Sequence, residues 1–430
     1  MQLPEDFIRE TRQLMGAERF SRYMEAFDEE APVSIRLNPQ TLGDQTLGDG
    51  SSCLTRCAVS GISQTEKNRP RVFDGVPWCP EGYYLEGRPQ FTFDPLFHAG
   101  CYYVQEAASM FVTHILRELS NLSPQNVLDM CAAPGGKSTA MLSVLPEGST
   151  LVSNEPIHTR AQILLENITK WGANNCIVTN NYPRDFKKAK AKFDLILCDV
   201  PCSGEGMFRK DSATIGEWSL QNVEKCWRLQ REIVADALEC LNPGGILIYS
   251  TCTFNTKENE ENVRWIMEEY DAEPITIPTE PSWGITGSLL EGFDAPVYRF
   301  IPGITRSEGL FVCALRKRGV RSEECGKRIL KTKLPSPLKE LSAAEQFSFL
   351  SPHSTFHLDL PYSEALKYLR GEALVLPSDT PRGIVTVSYK GIALGPVKNI
   401  GNRANNLYPK PWRIKTTHLP TEEVKIIDKQ

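Results

Sequence analysis

The sequence predicts an α/β protein built around a parallel sheet with helices over both faces, flanked by two smaller regions. Three observations carry that expectation. Between residues 101 and 318, short apolar runs alternate with amphipathic stretches at helical spacing. Three of those runs end in turns rich in small, acidic or sulfur-bearing residues, where doubly wound sheets bind their ligands. The 430 residues are 41% hydrophobic and 23% charged, which excludes a coiled coil, a collagen or a wholly disordered chain and leaves room for two or three domains.

Taken in order, Val127-Leu128-Asp129-Met130 reads as a short buried strand, followed by a Gly-rich turn and a helical stretch over 138–145. Residues 150–154 form a second strand. The next helix carries Ile157, Ala161, Leu164, Leu165 and Ile168 at helical spacing and stops at Gly172. Residues 176–179 and 194–199 are further strands, and a long helix over about 219–241 is stopped by Asn242-Pro243-Gly244-Gly245 before a strand at 246–250. Residues 1–100 mix short helical patterns with Pro and Gly turns, and the polar stretch 41–70 suggests a surface loop or short hairpin. The strongly basic run 316–333 is expected to be exposed, within a linker over 319–340. Residues 341–430 then form a smaller domain, with a strand over 383–390 and a turn at Gly391.

Composition narrows the function classes. No run approaches the ~18 apolar residues of a membrane span. The acidic start Met1-Gln2-Leu3-Pro4-Glu5-Asp6 lacks the basic opening and apolar core of a secretory signal, so a soluble cytoplasmic protein is expected. Thirteen cysteines, several inside apolar runs, fit reduced thiols rather than a disulfide framework. Cys53 and Cys57 lie close together without a second ligand pair, so no metal is expected. A net charge of −5 argues against coating nucleic acid by bulk electrostatics. Residues 383–418 nevertheless hold six basic residues (Lys390, Lys398, Arg403, Lys410, Arg413, Lys415) and no acid, interleaved with Tyr389, Tyr408 and Trp412. That stretch is either a nucleic-acid face or a solvated surface over three core aromatics.

The chemistry is expected at the three strand ends. In Asp129-Met130-Cys131-Ala132-Ala133-Pro134-Gly135-Gly136-Lys137-Ser138, small residues let a ligand approach the backbone where a helix begins. Gly136-Lys137-Ser138 resembles the end of a P-loop, but Cys131 stands where that motif needs its first Gly, and no G-x-G-x-x-G occurs. A nucleoside-like ligand without a pyrophosphate is therefore favoured, with Glu155 placed to accept from ribose hydroxyls. The second rim segment, Asp199-Val200-Pro201-Cys202-Ser203-Gly204-Glu205-Gly206, and the third, Thr251-Cys252, each present a thiol just after a buried strand. One such cysteine is ordinarily a small buried hydrophobe; two at adjacent strand ends point to chemistry.

Together these segments resemble the S-adenosylmethionine-dependent RNA cytosine-5 methyltransferases of the Sun type. Ser34-Ile35-Arg36-Leu37-Asn38 is similar to that family's N-terminal signature, and Tyr103-Val104-Gln105-Glu106-Ala107-Ala108-Ser109 to the lead-in of its catalytic domain. Leu394-Gly395-Pro396-Val397-Lys398 through Tyr408-Pro409-Lys410 resembles the PUA-like tail of the bacterial RsmF branch, which modifies small-subunit (16S) ribosomal RNA. The resemblance implies a Rossmann-like class I methyltransferase sheet at 101–318, an N-terminal α+β RNA-binding region at 1–100 and a PUA-like RNA-binding domain at 341–430. It implies that S-adenosyl-L-methionine lies against Cys131, Ala132, Ala133, Pro134, Gly135, Gly136, Lys137, Glu155 and Asp199. Cys252 is then the nucleophile toward cytosine carbon 6, as a thiolate that turns carbon 5 into an enamine-like nucleophile. Asp199 holds the base and supplies a proton to N3, Cys202 removes the carbon-5 proton or releases the enzyme, and Lys137 either orients Asp199 or merely pairs with it. The implied partner is RNA, with transfer RNA or a non-catalytic ribosome-assembly role as alternatives. Deleting everything after Lys333 is expected to weaken RNA binding and spare the donor site. Two departures stand out. Asn180-Asn181-Tyr182 replaces an acid that often contacts adenine, with Asp185 three residues beyond Tyr182, and Pro302-Gly303 replaces Pro-His.

Overall fold

The computed structural model describes residues 3–42, 72–319, 334–341, 356–416 and 418–427. Cys53, Cys57 and nearly all of the polar stretch 41–70 lie outside them, as does the basic run from 320 to 333.

The N-terminal part forms a sheet of β1 (Val33–Leu37), β2 (Val72–Val76), β3 (Cys79–Leu85) and β4 (Tyr102–Val104) in the order β2-β3-β1-β4. Its last strand thus runs past residue 100. A helix at Glu5–Glu25, interrupted where Gly16 takes φ +74°, packs Phe7 and Tyr23 edge-on against Phe208, Trp218 and Phe254 of the central domain. Gly303 sits under the end of that helix at φ +78°, where a Cβ would lie 2.2 Å from the Arg22 carbonyl oxygen. A histidine at that place cannot fit against this helix, which accounts for the Pro302-Gly303 departure.

The central sheet holds β5 (Asn126–Asp129), β6 (Thr150–Asn154), β7 (Cys176–Thr179), β8 (Phe193–Asp199), β9 (Leu241–Thr251), β10 (Ala272–Pro274), β11 (Tyr298–Phe300) and β12 (Leu310–Lys317). The order is β7-β6-β5-β8-β9-β12-β10, with β11 pairing β12. The strands from β5 to β9 are parallel, as the alternation predicts, whereas β10, β11 and β12 pair antiparallel, so the sheet is mixed. Residues alternate between two buried layers: Val127, Leu195, Ile246 and Ile248 pack with Leu164 and Ile168, while Leu128, Ile196 and Leu247 pack with Ile233 and Leu238. The strand after the long helix begins at Leu241 rather than after the glycines, because Gly244 and Gly245 run on within β9.

Arg316 and Lys317 close β12 instead of opening an exposed linker. The linker's far end is not free either. The Leu341 N–H donates to Val178 O at 2.9 Å and the Asn180 N–H to Lys339 O at 3.2 Å, so residues 339–341 cover the open edge of β7.

The C-terminal part joins β13 (His357–Asp359), β14 (Gly383–Tyr389), β15 (Ile392–Asn399) and β16 (Ala404–Asn406) in sequential order beside a helix at Tyr362–Arg370. Lys390 and Gly391, at φ +51° and +74°, make the β14–β15 turn, the positive-φ pair that a tight hairpin wants. Tyr389, Tyr408 and Trp412 are all buried, so the aromatics among the basic residues are core residues.

This part does not stand alone. Ile35, Leu37, Leu96 and Tyr102 share one apolar cluster with Leu366, Leu369, Val385 and Tyr408, and the Tyr362 hydroxyl donates to Phe93 O at 3.0 Å. Each buried side chain stripped of its cover costs about 1.5–3 kcal/mol. Removing residues 356–427 is therefore expected to lower the melting temperature by on the order of 10 °C or more, measured by circular dichroism. An unchanged melt would contradict the shared core. Deletion after Lys333 consequently tests folding as well as RNA binding.

Candidate active site

The strand order places the site. From β5 the chain runs outward through β6 and β7, then returns to β8 on the other side of β5, so the sheet reverses direction between β5 and β8. Ligands bind beyond the carboxyl ends of such strands. Asp129 ends β5, Asp199 ends β8, and Asp199 lies opposite Ser250 of β9 in register. Cys202 and Cys252 follow a few residues later and are thereby brought together.

Their sulfurs are 3.0 Å apart. That is beyond the ~2.05 Å of a disulfide and within reach of a thiol hydrogen bond. The Cys252 N–H also donates to Cys202 Sγ at 3.3 Å. The hydrogen bond to Cys252, then burial, pushes the Cys202 thiol well above its ordinary pKa, which favours its protonated form.

Both thiol loops are held from below by carboxylates that the sequence reading did not single out. Glu205 accepts from the Phe254 N–H (2.6 Å), the Asn255 N–H (3.1 Å) and Trp218 Nε1 (3.0 Å). Glu258 accepts from the Ser203 N–H (3.0 Å), Gln230 Nε2 (2.6 Å) and Asn255 Nδ2 (2.8 Å), and burial raises its pKa to about 7. The Gly206 N–H donates to Cys252 O at 2.7 Å, and a Cβ on Gly206 would lie 2.6 Å from Gly309 Cα. Only glycine permits that approach.

Beside the sulfurs, Lys137 Nζ donates to Asp199 Oδ2 at 2.8 Å and Ser250 Oγ donates to Asp199 Oδ1 at 2.7 Å. Burial works to lower the Lys137 pKa, but attraction to Asp199 outweighs it and the net shift is upward. The ion pair thus puts a fixed positive charge behind Asp199.

A cleft of about 190 Å³ runs from this pair along the Gly-rich turn. Of the residues expected at the donor, Cys131, Ala132, Ala133, Pro134, Gly136, Lys137 and Asp199 line it; Gly135 and Glu155 do not. Gly135 instead makes the turn at φ +112°, with Leu164 Cδ1 3.2 Å from where a Cβ would stand. Glu155 follows β6, buried, with Oε1 accepting from the Ile157 N–H at 3.0 Å and Oε2 left with Arg160 at 3.3 Å but no hydrogen bond. The opposite wall comes from residues 103–106 and Ser109, a contribution that strand-end reasoning did not anticipate.

The cleft fits the donor that the resemblance implies. Asp129 is fully buried, its Oδ2 accepts from Ser138 Oγ at 2.7 Å, and its Oδ1 has no partner. Burial raises its pKa to about 7. A buried acceptor without a partner is costly, and an amino acid's ammonium at this cleft would satisfy it. The adenine end is differently built. Tyr182 is 56% exposed with Arg184 over its ring at 5.1 Å, Asp185 accepts from the Tyr182 N–H, and both Asn181 side-chain groups are taken by the Lys339 backbone. None of these three lines the cleft. Among the described residues, no cluster of His, Cys, Asp or Glu is arranged to hold a metal, and no helix is long and apolar enough to cross a membrane.

Comparison with known proteins agrees with this geometry. Residues 118–316 match the model of the 16S rRNA methyltransferase RsmB/F family, residues 3–107 that of the N-terminal domain of 16S rRNA methyltransferase RsmF, and residues 355–414 that of the methyltransferase RsmF PUA domain. Ribosomal RNA small subunit methyltransferase F of Aliivibrio salmonicida is 34% identical over 324 residues, covering 72% of this chain and 65% of the relative. Its counterpart from Cronobacter sakazakii is 38% identical over 250 residues, 56% of this chain and 51% of the relative. The chain thus spans about half to two thirds of the length of the curated relatives it matches. A crystal structure of a methyltransferase homolog from Pyrococcus horikoshii superposes with a TM-score of 0.56 at 26% identity, over 73% of this chain and all of that one. NSun6 of the same organism, at 21% identity and a TM-score of 0.56 over 74% of this chain and 99% of that one, shares the fold.

Proposed function

We propose, because the chain belongs to the 16S rRNA methyltransferase RsmB/F family, that it methylates carbon 5 of a cytidine in small-subunit ribosomal RNA in the cytoplasm, by way of a covalent bond from Cys252 to carbon 6. The observation that carries this reading is the pair of free sulfurs 3.0 Å apart, with Cys252 close enough to act on the charge of Lys137, which lines the cleft. Bound there, S-adenosylmethionine supplies a methyl group on a positively charged sulfur.

The chain's own residues do the rest. Asp199 holds the base, and the proton that N3 takes up as electron density gathers there comes through Asp199 from the Lys137 ammonium, its hydrogen-bonded donor. Attack by Cys252 breaks the ring's aromaticity and makes carbon 5 the nucleophile. The same step changes Cys202. Its proton is held chiefly by its hydrogen bond to Cys252. Once Cys252 has become a neutral thioether that contribution is lost, and Cys202, having given its proton to solvent, takes the one from carbon 5. Elimination then restores the ring's double bond and releases Cys252. One contact thereby orders the two sulfurs in time.

The test is incubation with methyl-labelled donor and either small-subunit RNA, the small subunit itself or transfer RNA, followed by digestion to nucleosides. Labelled 5-methylcytidine from the ribosomal substrates is expected. Label only in transfer RNA would move the substrate, and none anywhere would leave a non-catalytic assembly factor.

Two further outcomes follow. Because the buried Asp129 titrates near 7, it is protonated in acid and accepts an ammonium only once ionised. Donor affinity is therefore expected to rise about tenfold per pH unit up to about pH 7 and to level above it, with proton release detectable by calorimetry in buffers of different ionisation enthalpy. A flat profile from pH 5 to 8 would remove Asp129 from the donor site. On the C-terminal part, Lys390 is paired with Glu423 and Arg413 caps Tyr408 O, while Lys398, Arg403, Lys410 and Lys415 are exposed. Replacing those four with Ala should keep the fold and weaken RNA binding, the salt dependence falling by about 0.7–0.9 in slope per lost phosphate contact. An unchanged slope would place the RNA elsewhere.

A further inference from the structure

Asp129 accounts for the positive end of an amino-acid-bearing donor and leaves the negative end without a partner. We infer that Gln105 binds the donor's carboxylate through its side-chain amide, and that buried Arg36 is the positioning residue that aims it; this rests on the donor reading above.

Gln105 lines the same cleft as Asp129. Its backbone is fixed against β1, its N–H donating to Ser34 O at 3.1 Å and its carbonyl accepting from Ser34 Oγ at 2.5 Å. Arg36 Nε donates to Gln105 Oε1 at 2.8 Å. A guanidinium has donors only, so the amide oxygen must face Arg36 and the NH2 must face away from it. That Nε2 is buried and has no partner. The cleft thus carries one unpartnered acceptor, Asp129 Oδ1, and one unpartnered donor, Gln105 Nε2. An acceptor and a donor set in one cleft are the complement of a zwitterion.

Arg36 supplies the charge. It is fully buried, and its other hydrogen bonds go to neutral groups: Thr139 Oγ1 at 2.7 Å, Ser143 Oγ at 2.9 Å and Gly136 O at 3.5 Å. Its guanidinium lies 4.4 Å from the centre of the Trp171 ring. A buried cation among neutral partners leaves the wall beside it positive, which favours an anion there. Those contacts also bind β1 to the helix at Gly136–Leu142, so the carboxylate site forms only where the N-terminal sheet meets the Gly-rich turn.

The test is calorimetric binding of S-adenosylhomocysteine and of 5′-methylthioadenosine, which keeps the nucleoside and sulfur but lacks the amino-acid end. Gln105→Glu preserves shape and the acceptor toward Arg36 while replacing the amide donor with an oxygen. It is expected to weaken S-adenosylhomocysteine by about tenfold or more and to leave 5′-methylthioadenosine unchanged. Gln105→Ala, a second variant should the first misfold, is expected to show the same selectivity with a smaller loss. Equal weakening of both ligands, or of neither, would make Gln105 a packing residue. If the unaltered protein binds neither ligand, the donor reading itself is wrong and this inference goes with it.

Discussion

Cys252→Ala is expected to abolish methyl incorporation, lowering turnover by a factor on the order of 10⁴ or more, the scale at which loss of a nucleophile acting with partners is felt. The donor cleft does not include Cys252, so binding of S-adenosylhomocysteine should be unchanged, as should the melting temperature. The reason for so large an effect is electronic. Without a thiolate at carbon 6 the pyrimidine stays aromatic, and carbon 5 has no electron pair to offer. Measurable incorporation at near wild-type rate would mean that Cys252 is a packing residue.

Cys202→Ala is expected to act at a different step. Attack and methyl transfer proceed, but no base remains at carbon 5, so the enzyme stays bonded to its methylated product. The RNA-linked species should be resolved on a denaturing gel as a slower band, with turnover reduced on the order of 10²–10⁴-fold, the range of a lost general base. Removal of Cys202 also takes away the hydrogen bond that reaches Cys252. The two losses are separable, since a slower attack gives less adduct and a blocked release gives more.

The β5–β9 half of the sheet was legible in the sequence because parallel strands buried on both faces are continuous apolar runs ended by turn residues. The antiparallel half was not. β10 and β11 are three residues each and carry no period long enough to read. The thiol pair was legible for a related reason: two cysteines immediately after neighbouring buried strands meet in any doubly wound sheet. Nothing local marks the opposite wall of the cleft. Gln105 enters it just after the last strand of a separate sheet, with Arg36 bonded behind it, and a buried arginine looks like any other arginine until its neighbours are known. Asp129 is an intermediate case. An acid closing a buried strand before a Gly-rich turn is a visible signal, and its burial is what gives it a role. The aromatics near the C-terminus show the converse, since Tyr389, Tyr408 and Trp412 have the spacing of a stacking surface and lie in the core shared with the N-terminal sheet. Glu155 was legible as the acid after β6, yet it stands outside the cleft lining, and its ribose role remains a proposal resting on the unsatisfied Oε2.

The division of labour between the sulfurs is most directly tested by peptide mapping of the RNA adduct formed by Cys202→Ala with small-subunit RNA and S-adenosylmethionine. Mass spectrometry is expected to find a single modified peptide, carrying a 5-methylated cytidine on Cys252. A cytidine attached at any other residue, or full turnover with no adduct, would contradict the account.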